Sequence, residues 1–126
     1  MLLDSNIIIY SAQPAQVVIR QFIQANAPLV SIISYVEVLG YHRLTNEAQQ
    51  FFIEFFEAAE ILPVTDDVAI QAARLRQQRR MTLGDSLIAG TALTYDLTLV
   101  THNRQDFEWI SDLTVLDPLG SPNEEA

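Results

Sequence analysis

The sequence predicts an α/β fold built around a parallel sheet. Short apolar runs of strand length alternate with longer amphipathic runs, the order expected of successive βα units. The chain is 126 residues long and 49% hydrophobic, enough for one domain that buries about two-thirds of its unfolded surface. No internal repeat or linker-like stretch divides it.

The elements follow in order. Met1 to Leu3 reads as a first strand and Asn6 to Ser11 as the start of a helix. Gln16 to Ala25 carries Val17, Val18, Phe22 and Ile23 at helical spacing. Pro28 breaks that helix, and Leu29 to Ile32 forms a second, buried strand. Ser34 to Arg43 and Asn46 to Glu60 make a helical pair, the second capped by Thr45. Ile61 to Val64 is a third strand. Asp66 to Arg80 starts with acids and ends with arginines, as the helix dipole favours. Gly84 to Tyr95 is a helix, Thr98 to Thr101 a fourth strand, Gln105 to Ile110 a short helix and Thr114 to Leu116 a last strand. The domain thus runs over residues 1–117. From Pro118 the composition turns to Pro, Gly, Ser, Asn and Glu, a flexible acidic tail over 118–126.

Composition removes whole classes of chemistry. With no cysteine there is no disulfide framework, thiolate zinc site, iron–sulfur cluster or cysteine nucleophile. All seven basic residues are arginine, so there is no phosphate-loop lysine and no Schiff-base or lysine general base. The four glycines form neither a GxGxxG nor a GxxxxGK pattern, and GxSxG does not occur. A net charge of -9 argues against a generic nucleic-acid coat, whose affinity comes from basic side chains displacing counterions. It does not forbid a small nuclease that holds its substrate with a few arginines and metal ions. The first residues have no basic region and reach an acid at Asp4, unlike a signal peptide. No apolar run approaches the ~18–20 residues of a membrane span, so a cytoplasmic protein is expected.

What remains is carboxylate. In parallel sheets, functional groups gather beyond the carboxyl ends of the strands. Asp4 closes the first strand, Glu37 follows the second, Asp85 opens the helix before the fourth, and Asp106 follows that strand's end at Thr101. Four distant acids thus converge on one sheet edge. Two carboxylates ~4 Å apart repel by about 4 kcal/mol at an effective dielectric near 20, so such a pocket calls for a divalent cation or shared protons. Oxygen ligands without sulfur or clustered histidine favour Mg2+ or Mn2+ over zinc.

A plainer role is available for three of them. Ser34-x-x-Glu37 has the form of a capping box, Thr82-x-x-Asp85 is close to one, and Asn103-x-x-Asp106 places an acid three residues after a good N-cap. Capping does not account for Asp4, nor for all four acids meeting at one edge, so the joint pattern favours a metal site.

These residues resemble a known family. Asp4-Ser5-Asn6 before Ile7-Ile8-Ile9, Glu37 within Ser34-Tyr-Val-Glu-Val-Leu, Asp85-Ser-Leu-Ile-Ala-Gly-Thr-Ala, and Thr101-His-Asn-Arg-Gln-Asp-Phe107 are similar to the successive motifs of PIN-domain ribonucleases, above all the VapC toxins of type II toxin–antitoxin pairs. The resemblance covers residues 1 to about 117. Ser5 stands where threonine is commoner, and Leu83-Gly84 where proline is frequent before the acid; no acid is lost. The resemblance implies a three-layer α/β/α sandwich and metal-dependent endonucleolytic cleavage of RNA by an activated water. It also implies a cognate antitoxin and a homodimer. Asp4, Asp85 and Asp106 would hold Mg2+ or Mn2+ directly or through water, and Glu37 a second ion or a water. Ser5, Asn6, Thr101 and Asn103 would support them.

Arg76, Arg79 and Arg80, at i, i+3 and i+4, either complement a helix C-terminus or clamp RNA phosphates at the pocket rim. His102 reads as an exposed loop histidine, and neither it nor His42 is assigned as an acid or a ligand. Phe51, Phe52, Phe55 and Phe56 form a stripe that is core by default and otherwise a partner groove or dimer face. Tyr10, Tyr35 and Tyr41 suit base stacking or packing equally. Two other functions compete. A phosphotransfer site with Asp4 as nucleophile would want a lysine, which is absent. A PIN-fold module without activity, or a nuclease of this fold acting on DNA, keeps the same residues.

Overall fold

The computed structural model describes residues 1–120. Five strands, β1 (Leu2–Leu3), β2 (Leu29–Ser31), β3 (Ile61–Leu62), β4 (Leu99–Val100) and β5 (Val115–Leu116), form one sheet in the order β3-β2-β1-β4-β5. Every neighbouring pair is parallel, with Leu2 opposite both Leu29 and Leu99. Residues alternate between faces along a strand, and two cores result. Leu2 and Leu99 pack with Leu75, Ile88, Ala89 and Phe107, whereas Leu3, Val30 and Val100 pack with Ile7, Ile8, Val38, Phe52 and Phe56. The helices divide accordingly. α1 (Ser5–Ser11), α2 (Val17–Asn26), α3 (Ile32–Leu39) and α4 (Asn46–Ala58) supply one face; α5 (Asp66–Gln78) and α6 (Leu83–Thr94) supply the other. This is the expected three-layer α/β/α sandwich around a parallel sheet.

The aromatic stripe of α4 is divided. Phe52 and Phe56 are buried, Phe51 and Phe55 half-buried, and all four pack into the second core. At the other end of the chain, Leu119 also packs against that core. Of the tail read from the sequence, residues 121–126 lie outside the described residues.

Several boundaries differ from the sequence reading, each for a local reason. α3 starts at Ile32, because Ser31, the last residue of β2, caps it by accepting the Ile33 N–H at 3.0 Å. Ser34 therefore is no N-cap: it lies fully buried inside the helix, and the Ser34–Glu37 capping box does not form. α3 also stops at Leu39, with Gly40 as its C-cap, rather than at Arg43. α5 ends at Gln78, and Arg79 is already extended, so Arg80 lies beyond the helix. The segment after β4 is a single 3-10 turn, Arg104–Asp106, and the Asn103 side chain makes no cap bond to it. Thr82 does cap α6, accepting the Asp85 N–H at 3.1 Å.

Candidate active site

The strand order reverses at β1. Its neighbour β2 continues the sheet toward β3, and its other neighbour β4 continues toward β5. Ligands of open parallel sheets bind at such a switch point, beyond the carboxyl ends of the strands. Asp4 follows β1 and Thr101 follows β4 at that place. The Thr101 hydroxyl donates to Asp4 Oδ2 at 2.8 Å, and both residues are buried. Thr101 Oγ1 in turn accepts the Asn103 N–H at 3.0 Å. Asp4 stands at the N-cap position of α1 without capping it, so its carboxylate remains available to the site.

The second acid arrives from α3. Glu37 Oε1 accepts the Ser5 hydroxyl at 2.8 Å, and Ser5 Oγ also pairs with Ser34 Oγ at 2.9 Å. Ser34 thus becomes a support of the site. The Glu37 carboxylate lies against Gly84 in the first turn of α6, where an added Cβ would fall 2.7 Å from Oε2. Asp85 is the next residue, held in the same first turn by the Thr82 cap. Asp106 closes the 3-10 turn after β4 and is exposed. Asn6 is half-buried on the second residue of α1.

The electrostatics report crowding. Burial pushes the Asp4 carboxyl up to about 6, the Thr101 hydroxyl works against that rise, and the Asp85 and Glu37 charges add to it. Asp85 is also raised, first by burial and then by the charges of Asp106 and Glu37, against the Thr82 hydroxyl. Each acid in this set therefore acts on another. Among the described residues no arginine forms an ion pair with any of the four, and no three of them already stand as a finished ligand cluster. A divalent cation fits this place on donor chemistry: all donors are oxygens, and their mutual repulsion lacks a positive partner.

Beside the acids opens a cleft of about 530 Å³, lined by Asp85, Asp106, Thr82, Gln105 and Trp109 and by all three rim arginines, Arg76, Arg79 and Arg80. The arginines and two of the acids thus share one space. Sequence reasoning overlooked Trp109, which packs partly against the first core while facing this cleft. A lone aromatic three residues after Asp106 gave no periodic signal. His102 is exposed, as expected, with Nδ1 2.9 Å from Asp117 Oδ2 and its ring edge-on to Tyr10. Tyr35 and Tyr41 are exposed; Tyr35 meets Phe56 in a T-shaped contact. His42 is exposed too, its ring beside Tyr41.

Known proteins share this fold. The PIN domain family profile matches residues 1–112. Ribonuclease VapC1 of Rickettsia felis is 32% identical, with 92% of this chain and 94% of that protein covered. Among solved structures, a toxin–antitoxin complex from Klebsiella pneumoniae superposes with a TM-score of 0.73 at 27% identity, covering 93% of this chain and 96% of the other. VapBC-1 from nontypeable Haemophilus influenzae superposes with a TM-score of 0.77 at 26% identity, covering 94% and 98%. A profile that spans most of the chain, and a relative aligned with it nearly end to end, leave one assignment: the chain belongs to the PIN-domain family.

Proposed function

We propose that this chain is a divalent-metal-dependent endoribonuclease that acts as the toxin of a toxin–antitoxin pair, its single domain spanning residues 1–117. The observation that carries the reading is the buried Asp4 at the switch point, held by Thr101 from the neighbouring strand and opposed by the charges of Asp85 and Glu37. The likeness to ribonuclease VapC1 supports the substrate, and the toxin–antitoxin structures support a cognate antitoxin. The acid set is suited to Mg2+ or Mn2+, with Asp4, Asp85 and Asp106 as ligands directly or through water and Glu37 holding a second ion or a water. When bound, the cation supplies an acidified water and neutralises charge on the phosphate under attack.

The remaining residues hold and orient. Thr101 fixes one oxygen of Asp4 and so orients its carboxylate. Ser5 does the same for Glu37, itself steadied by Ser34. Asn6 and Asn103 complete the support at the starts of α1 and the 3-10 turn. Arg76, Arg79 and Arg80 line the cleft beside Asp85 and Asp106, where guanidinium groups hold the phosphates of an RNA strand. A homodimer acting in the cytoplasm completes the reading; among the described residues no helix is long and apolar enough to cross a membrane.

The test is cleavage of single-stranded RNA with Mg2+, Mn2+ or EDTA, in parallel with Asp4→Asn and Asp85→Asn. Cleavage with either cation, its loss in EDTA, and a fall of roughly 100-fold or more in each variant are expected. Product that persists undiminished in EDTA, or in both variants, rejects the metal mechanism.

A further inference from the structure

The cleft poses an electrostatic problem. Arg79 lines it together with two carboxylates, Asp85 and Asp106, and a guanidinium so placed is drawn to pair with them. Paired, it would be neutralised for a phosphate and would occupy acid oxygens needed elsewhere. Among the described residues, Arg79 forms no ion pair with either acid. Its guanidinium carbon instead stands 5.5 Å from the centroid of the Trp109 ring, within cation–π range. The extended backbone at Arg79, just past the end of α5, turns the chain away from the helix axis at this point. The indole N–H of Trp109 also donates to the backbone carbonyl of Asp106 at 3.0 Å.

We infer that Trp109 is a positioning residue for RNA binding, its ring holding Arg79 off the acids and open to a phosphate while its N–H fixes the turn that presents Asp106. One side chain thereby ties an arginine from the end of α5 to the acid-bearing turn after β4. The two come from parts of the chain 27 residues apart and share no secondary structure. The inference rests on the ribonuclease reading, since it names how that site takes its substrate. The ring offers the cation its face without competing for the charge, which a carboxylate would do.

The experiment measures binding of a fluorescein-labelled single-stranded RNA by anisotropy, in an Asp4→Asn background that blocks cleavage. Arg79→Gln, Trp109→Leu, Trp109→Phe and the Arg79→Gln/Trp109→Leu double variant are compared, each checked by thermal melt. Arg79→Gln and Trp109→Leu are each expected to weaken binding about 5-fold. The double variant should stay near 5-fold, because the two act as one unit. Trp109→Phe keeps a ring face and should recover most of the loss. Trp109 is the only tryptophan, so its fluorescence should also change on RNA addition and change less in Arg79→Gln. Additive losses near 25-fold, or unchanged binding in folded Trp109→Leu, overturn the proposal. If RNA does not bind the Asp4→Asn protein carrying both Arg79 and Trp109, the ribonuclease reading itself fails.

Discussion

At the scale of single residues, Asp4 makes the sharpest prediction because its environment favours the neutral form. Its carboxyl sits at about 6 in the fold against roughly 4 when unfolded. The folded state therefore binds the proton more tightly, and ionising Asp4 costs stability. That cost is absent below about pH 4, grows as pH rises through about 6, and is complete above it. In EDTA at neutral pH, Asp4→Asn should be more stable than the parent protein by on the order of 2–3 kcal/mol. The gain should vanish near pH 4, where Asp4 is protonated anyway. A variant less stable than its parent in EDTA at neutral pH contradicts this account of the buried acid. Asp4 and Thr101 were both legible in the sequence because each ends a strand. Trp109 was not, because a side chain that links two distant segments leaves no pattern along either one.

At the scale of elements, two glycines of α6 do different work. A Cβ on Gly90 would stand 2.9 Å from the Val68 carbonyl oxygen and 3.1 Å from the Ala72 nitrogen, both backbone of α5. Gly90→Ala must push two helices apart, and a loss of about 1–3 kcal/mol is expected by denaturant unfolding. The nearest atoms to a Cβ on Gly84 are those at the end of the Glu37 side chain. Gly84→Ala should melt within about 1 kcal/mol of the parent and yet lose RNA cleavage several-fold, since it displaces the Glu37 carboxylate. Equal melting losses in the two variants would show that Glu37 is not the yielding partner. Caps separate the same way. Removing the Thr82 or Ser31 hydroxyl as Ala should cost about 0.5–2 kcal/mol, whereas Asn103→Ala should cost no cap energy, because its side chain makes no such bond. Apolar periodicity located the elements within a few residues. It misjudged the start of α3, where two serines, Ser31 and Ser34, both fit a cap and only the end of β2 decides between them.

At the scale of the whole molecule, the proposed cation site would couple folding to ion binding, because Asp85 and Glu37 bear on Asp4 and Asp106 and Glu37 bear on Asp85. Mg2+ or Mn2+ should raise the melting temperature and EDTA should reverse it, with about 2.7 kcal/mol gained when the free ion is 100 times its Kd. Asp4→Asn should blunt that gain while stabilising the metal-free protein; a midpoint indifferent to either cation would leave the crowded acids without their counterion. The chain alone determined the parallel α/β architecture, since alternating strand-length and helix-length runs admit few other arrangements, and it offered Asp4, Glu37, Asp85 and Asp106 as candidates; Asp4 does follow β1, whereas Glu37 lies within α3 and not in its first turn. Tertiary structure alone decided how these groups meet. The reversal of strand order at β1 sets Thr101 against Asp4 across 97 positions of sequence, and the packing of α3 on α6 lays Glu37 against Gly84. Periodicity is a property of neighbours along the chain, whereas hydrogen bonds and charge repulsion act through space, so the partners of each acid exist only once the layers have closed.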